Sequence, residues 1–188
     1  AAFPNFEVLN LGTGGYGTYQ SLLALERYLA RAPTNPVLVV YGFIQYHEGR
    51  NVAAADRLHA VRQTSDAGRV LVPFATLAPD GTLVRNEPEA YPRWPFDGVL
   101  ASVRFLENRY ATFRTRTRAA QGRAVGDALI EEMASVSRAH GAPLLLVVLS
   151  ATTPEGRDHY VRFPPSLGVT TVDCVLPDID RPSHKVPV

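Results

Sequence analysis

A glycine-rich turn between an apolar stretch and a helix constrains this chain more than any other feature. Phe6 to Leu11 reads as a buried strand, and Gly12-Thr13-Gly14-Gly15-Tyr16-Gly17 follows at once. Thr18 then serves as an N-cap for a helix to about Arg31, because Leu22, Leu25 and Leu29 recur at helical spacing. Pro33 and Pro36 end that helix. Glycines at such a junction let backbone amides approach an anion, and the helix N-terminus adds positive potential.

The rest of the chain continues the alternation. Val37 to Phe43 is β-branched and apolar, as a strand covered on both faces would be. Val52 to about Thr64 reads as helical. Arg69 to Pro73 and Thr82 to Arg85 read as short strands, with Pro79-Asp80-Gly81 turning between strand-like stretches, and Tyr91 to Pro95 is extended. Residues 52–95 are expected to be an insertion that decorates the core of a single domain spanning 1–188. A helical pattern runs from Phe96 to His140, broken near Gln121-Gly122 and stopped at Gly141. Leu144 to Leu149 is a strand, Pro154 to Phe163 a helix and Val169 to Val175 another strand. This order predicts an α/β fold, doubly wound, with a mainly parallel sheet and helices on both faces.

Composition narrows the function classes. A length of 188 residues suits one domain. Net charge is +1, with no basic footprint for nucleic acid. The longest apolar run, Ala142 to Leu149, is strand-sized and too short to span a bilayer. A single cysteine excludes a disulfide framework or a thiolate metal site within the chain, and Cys174 reads as core. The five histidines lack metal-ligand spacing, so no metal or other cofactor is expected. Arg114, Arg116 and Arg118 read as a solvated helix face. Asp56-x-x-His59 reads as a coincidence on a surface helix, His140 as structural and His159 as a surface-helix residue, while Trp94 pins the insertion to the core or, as the alternative, lines a substrate groove.

The turn has two functional readings. Gly12-x-Gly14-x-x-Gly17 matches the dinucleotide fingerprint of a Rossmann-like nucleotide-binding domain. That fingerprint needs an acid at the end of the next strand to hold the ribose hydroxyls. Val39-Val40-Tyr41-Gly42-Phe43 offers none.

The second reading uses more residues. Glu7-Val8-Leu9-Asn10-Leu11-Gly12-Thr13-Gly14-Gly15-Tyr16-Gly17-Thr18-Tyr19-Gln20 resembles the second conserved block of the SGNH (GDSL-type) hydrolases. The following helix, the strand from Pro36 to Gly42 and the strands near residues 144 and 169 fall where that family has its core elements. The resemblance implies a serine esterase or acyltransferase acting on a small ester or an acylated carbohydrate. In the family, a Gly-Asp-Ser serine attacks and a histidine in a late Asp-x-x-His block is the base. A second-block glycine amide and a third-block asparagine donate to the oxyanion.

The glycine corresponds to Gly15. The third block would fall in Gly42-Phe43-Ile44-Gln45-Tyr46-His47-Glu48-Gly49-Arg50-Asn51, which lacks the expected asparagine. Gln45, Tyr46 or His47 would then supply the donor. His47, Glu48 and Asn51 follow a strand's C-terminal end, where open α/β sheets place their ligands, so they are expected to line the substrate pocket. Neither the Gly-Asp-Ser block nor the late Asp-x-x-His block has a match. The resemblance therefore places nucleophile and base outside residues 1–188 and implies an incomplete domain, inactive by itself. A non-catalytic SGNH-like domain is the remaining alternative.

Overall fold

The computed structural model describes residues 7–32, 34–63, 70–163 and 168–175. Its elements run α1 (Thr18–Leu29), β1 (Val39–Ile44), α2 (His47–Asn51), α3 (Ala55–Gln63), β2 (Val72–Leu77), β3 (Leu83–Glu89), α4 (Ala101–Ala120), α5 (Gly122–Ala139), β4 (Leu144–Ser150), α6 (Pro154–Val161) and β5 (Val169–Asp173). The fold is α/β. A three-stranded parallel sheet has the order β1-β4-β5, and β2 and β3 form a separate antiparallel pair.

Register decides which side chains share a face. Tyr41 lies opposite Leu146, Phe43 opposite Val148, and Leu144 opposite Val169. These residues are all buried in one core with Leu22, Leu25 and Leu29 of α1, Val125, Leu129, Ile130 and Met133 of α5, and Tyr160 of α6. Strand side chains alternate between faces, so the other face carries Val40, Leu145, Val147, Leu149 and Val172. Val40, Leu149 and Val172 are exposed on it. The expectation of helices on both faces thus goes beyond what the described residues carry. For the same reason β1 is not covered on both sides, although its sequence is apolar throughout.

The expected strand from Phe6 to Leu11 is corrected. Phe6 lies outside the described residues, and residues 7–13 have no regular structure. Val8 and Leu9 are 88% and 53% exposed. Strand propensity needs a neighbouring strand to complete its hydrogen bonds, and none is paired with this stretch.

The insertion is tied to the core. Ala75 of β2 is buried in the main cluster, while Val72 and Phe74 pack with Ala53, Leu58, Tyr91 and Ala111. Asp80 and Gly81 turn the hairpin, where the Thr82 amide donates to Asp80 Oδ1 over 2.9 Å and Gly81 takes φ of 85°. Arg85 of β3 reaches Glu26 of α1 and Glu132 of α5.

Two local expectations change. Arg118 is not a solvated residue. It pairs with Glu89, donates to the Ala53 carbonyl over 2.8 Å and covers the Phe74 ring. Arg114 also pairs with Glu89. Cys174 is exposed rather than core, because it lies past the end of β5. Trp94 does tether the insertion, through its backbone: its amide donates to the fully buried Glu107 carboxylate over 2.8 Å.

The break at Gln121 and the stop at Gly141 are both present. Gly141 has φ of 78°; its amide donates to the Arg138 carbonyl and the Ala142 amide to Ser137, closing α5 with a left-handed cap. Gly141→Ala is expected to cost about 1 kcal/mol. Urea unfolding would show this as a lower midpoint at unchanged slope, and an unchanged midpoint would deny the cap that role.

Candidate functional site

The site is built around the turn that leads into α1. The Tyr16 amide donates to the Thr13 carbonyl over 3.1 Å, which makes Thr13 to Tyr16 a β-turn. Gly15, its third residue, has φ of 82°. That value fits a type II turn, which needs glycine at this position. The turn leaves the Gly14 and Gly15 amides in its outer arc. Among the described residues neither amide has an acceptor.

Two arginines hold the turn from behind. Arg57 Nη2 donates to the Gly15 carbonyl over 2.7 Å, and Arg50 Nη1 donates to the Tyr16 carbonyl over 2.9 Å. Both come from the segment after β1, and they fix two consecutive peptide planes. Burial, with the Arg50 charge second, lowers the Arg57 pKa. Gly17 is needed for close approach: a Cβ there would lie 2.7 Å from Asn51 Oδ1 and 2.9 Å from Arg50 Cβ. Its amide is taken by Gln20 Oε1 over 2.9 Å.

A buried polar chain joins this helix start to the C-terminal end of β1. Asn51 is fully buried; its Oδ1 accepts from the Tyr19 amide over 3.1 Å and its Nδ2 donates to Thr18 Oγ1 over 3.0 Å. Thr18 Oγ1 is 3.0 Å from Tyr41 Oη, which is 2.8 Å from His47 Nδ1. Thr18, expected as an N-cap, is instead the first residue of α1. Its hydroxyl serves the network instead of the helix amides. Burial, and secondarily the charge of Arg50, pushes the His47 pKa down to about 4. The imidazole is therefore neutral at pH 7. Burial raises the Tyr41 hydroxyl well above its ordinary range, so it stays protonated and can pass a hydrogen bond in either direction.

The sequence-derived candidates divide between two places. Gly15, His47 and Asn51 belong to the turn and its supporting network. Gln45 looks to the β4–α6 connection, where its Oε1 accepts from the Thr152 amide over 2.7 Å and the Thr152 hydroxyl over 2.8 Å. Its amide group packs where a Cβ on Gly156 would fall, 2.6 Å from that position. Tyr46 is exposed. Glu48 accepts from Tyr160 Oη over 3.0 Å and pairs with Arg123. Nearby, His159 bonds Asp127 over 2.9 Å, and burial raises the Asp127 carboxyl pKa. Asn51, expected in a substrate pocket, is enclosed, with both amide atoms spent on α1.

Sequence reading missed the two arginines and Tyr41. Arg57 contacts a residue 42 positions away and Arg50 one 34 away, and no local pattern signals such a reach. His59, in the Asp-x-x-His spacing, packs its ring against Tyr91 with centroids 5.4 Å apart. Among the described residues no group of three or more His, Cys, Asp or Glu side chains is placed to hold a metal ion. No described helix is long and apolar enough to cross a membrane.

In comparison with known proteins, the chain matches no family model, no curated protein and no solved structure.

Proposed function

We propose that this chain is part of a serine esterase or acyltransferase resembling the SGNH hydrolases, acting on a small-molecule or carbohydrate ester. The observation that carries the reading is the Gly15 amide, held on a type II turn before α1 and without an acceptor among the described residues. An acyl-transfer site needs a fixed donor where the tetrahedral oxyanion develops, and preorganisation gives that donor its effect. The turn bond from the Tyr16 amide to the Thr13 carbonyl supplies the preorganisation, and the Arg57 bond to the Gly15 carbonyl holds the next peptide plane. Gln45 Nε2 and the Tyr46 hydroxyl are the further donors after β1. The reading assigns nucleophile and base to a Gly-Asp-Ser block and a late Asp-x-x-His block, neither of which has a match in residues 1–188; Ser21 is inside α1, and Ser150 ends β4. The parallel order β1-β4-β5 and the apolar, exposed Val40, Leu149 and Val172 support a doubly wound domain with a further helix layer over that face.

The nucleotide-binding alternative has less support. Its fingerprint needs an acid at the end of β1, where Gln45 follows Ile44 instead. The irregular residues 7–13 leave both readings without the strand expected before the turn.

The test uses the product of the complete reading frame. Treatment with a fluorophosphonate is expected to label a single serine in a Gly-Asp-Ser block, and hydrolysis of a chromogenic acetyl ester is expected to stop with it. Arg57→Ala is expected to lower kcat about tenfold, less than the hundredfold or more for deleting an oxyanion donor outright. A product that neither takes up the label nor cleaves the ester would sink the reading.

A further inference from the structure

We propose that Arg50 and Arg57 together seat an oxyanion group, a carboxylate or a phosphate, on the molecule received at the glycine turn. This rests on the functional reading above only in taking that molecule to be the ester substrate.

Two guanidinium groups converge on consecutive carbonyls, those of Gly15 and Tyr16. Each spends one hydrogen bond there, through a single nitrogen. An arginine has five N–H donors in a planar fork suited to bidentate carboxylate or phosphate binding. Neither Arg50 nor Arg57 has a carboxylate within 4 Å among the described residues. In contrast Arg62, Arg85, Arg114, Arg118, Arg123, Arg157 and Arg162 each have at least one.

The arrangement is costly without an anion. Arg57 is partly buried, and Arg50 makes its charged form harder to hold; the neighbouring Asp56 only partly opposes this. Arg57 Nε is a buried donor that lacks a hydrogen-bond partner. Carbonyl dipoles offset some of this cost, but a full negative charge would answer two cations and an unused donor at once. Glycine at position 17 lets Arg50 approach the turn, since a Cβ there would lie 2.9 Å from Arg50 Cβ, and the bond to the Tyr16 carbonyl places the guanidinium.

The experiment is a ¹H–¹⁵N titration of the protein, following the Gly14, Gly15 and Tyr16 amides. Inorganic phosphate and benzoate are the probes, with sodium chloride at matched ionic strength as the control. The expected result is saturable shifts with at least one probe and none that saturate with chloride. Phosphate alone identifies a phosphate group as the source; benzoate alone identifies a carboxylate. Arg50→Gln and Arg57→Gln are each expected to weaken binding about tenfold or more, while Arg50→Lys, which keeps the charge, weakens it less. Shifts that are linear and equal to those with chloride overturn the proposal, as does full affinity in both glutamine variants. The outcome is independent of fluorophosphonate labelling. A failed seat leaves the nucleophile test standing, and a failed label leaves the anion test standing.

Discussion

Asn51→Ala is expected to lower the stability of the fold by about 3 kcal/mol. Asn51 is fully buried and uses both ends of its side chain. The substitution removes two hydrogen bonds, each worth about 1 kcal/mol net. It also strands the Tyr19 amide, one of the orphan donors of the first turn of α1, and losing a helix cap adds about another 1 kcal/mol. The Thr18 hydroxyl loses a donor as well, and through it the link to Tyr41 loosens. Urea unfolding monitored by circular dichroism is the measurement. Asn51→Asp keeps the acceptor for Tyr19 but buries a charge and loses the donor to Thr18, so it should also destabilise. A loss below about 1 kcal/mol for Asn51→Ala would mean that α1 starts without this side chain.

The residues that were legible in the sequence are those whose signal is local. Leu22, Leu25 and Leu29 mark α1 by spacing alone, and all three are buried. Gln121-Gly122 and Gly141 mark the two interruptions of the long helical segment, because backbone freedom is written in the residue type. Gly15 was legible for the same reason. What was illegible depends on partners distant in the chain. The stretch from Glu7 to Leu11 has strand composition, but a strand exists only beside another strand. Arg118 looked solvated within its own helix, yet Glu89, Ala53 and Phe74 enclose it. Gln45 offers an amide group just after β1, and its oxygen is engaged by Thr152, more than 100 residues away. Asn51, expected to line a pocket, is fully buried with both ends of its side chain bonded to the start of α1.

His47 gives the fold a pH dependence whose sign follows from its surroundings. The ring is buried between Tyr41 and Phe43, edge-on to Phe43 with centroids 5.4 Å apart. Burial, then the Arg50 charge, pushes its pKa to about 4 in the folded protein, against roughly 6.5 for an unfolded histidine. A base whose folded pKa is depressed takes up a proton on unfolding anywhere between those two values. Stability is therefore fully present above about pH 6.5 and falls as the pH drops towards 4, below which this residue costs nothing more. A difference of roughly 2.5 units corresponds to a total loss of about 3 kcal/mol. His47→Gln keeps a polar partner for Tyr41 and does not titrate. The stability gap between wild type and this variant is expected to shift by about 3 kcal/mol, against wild type, from pH 7 to pH 4. Carboxylates titrate in both proteins and cancel in the difference. A gap that stays constant across this range would show that His47 titrates alike in the folded and unfolded chains, and the neutral imidazole beneath the glycine turn would lose its basis.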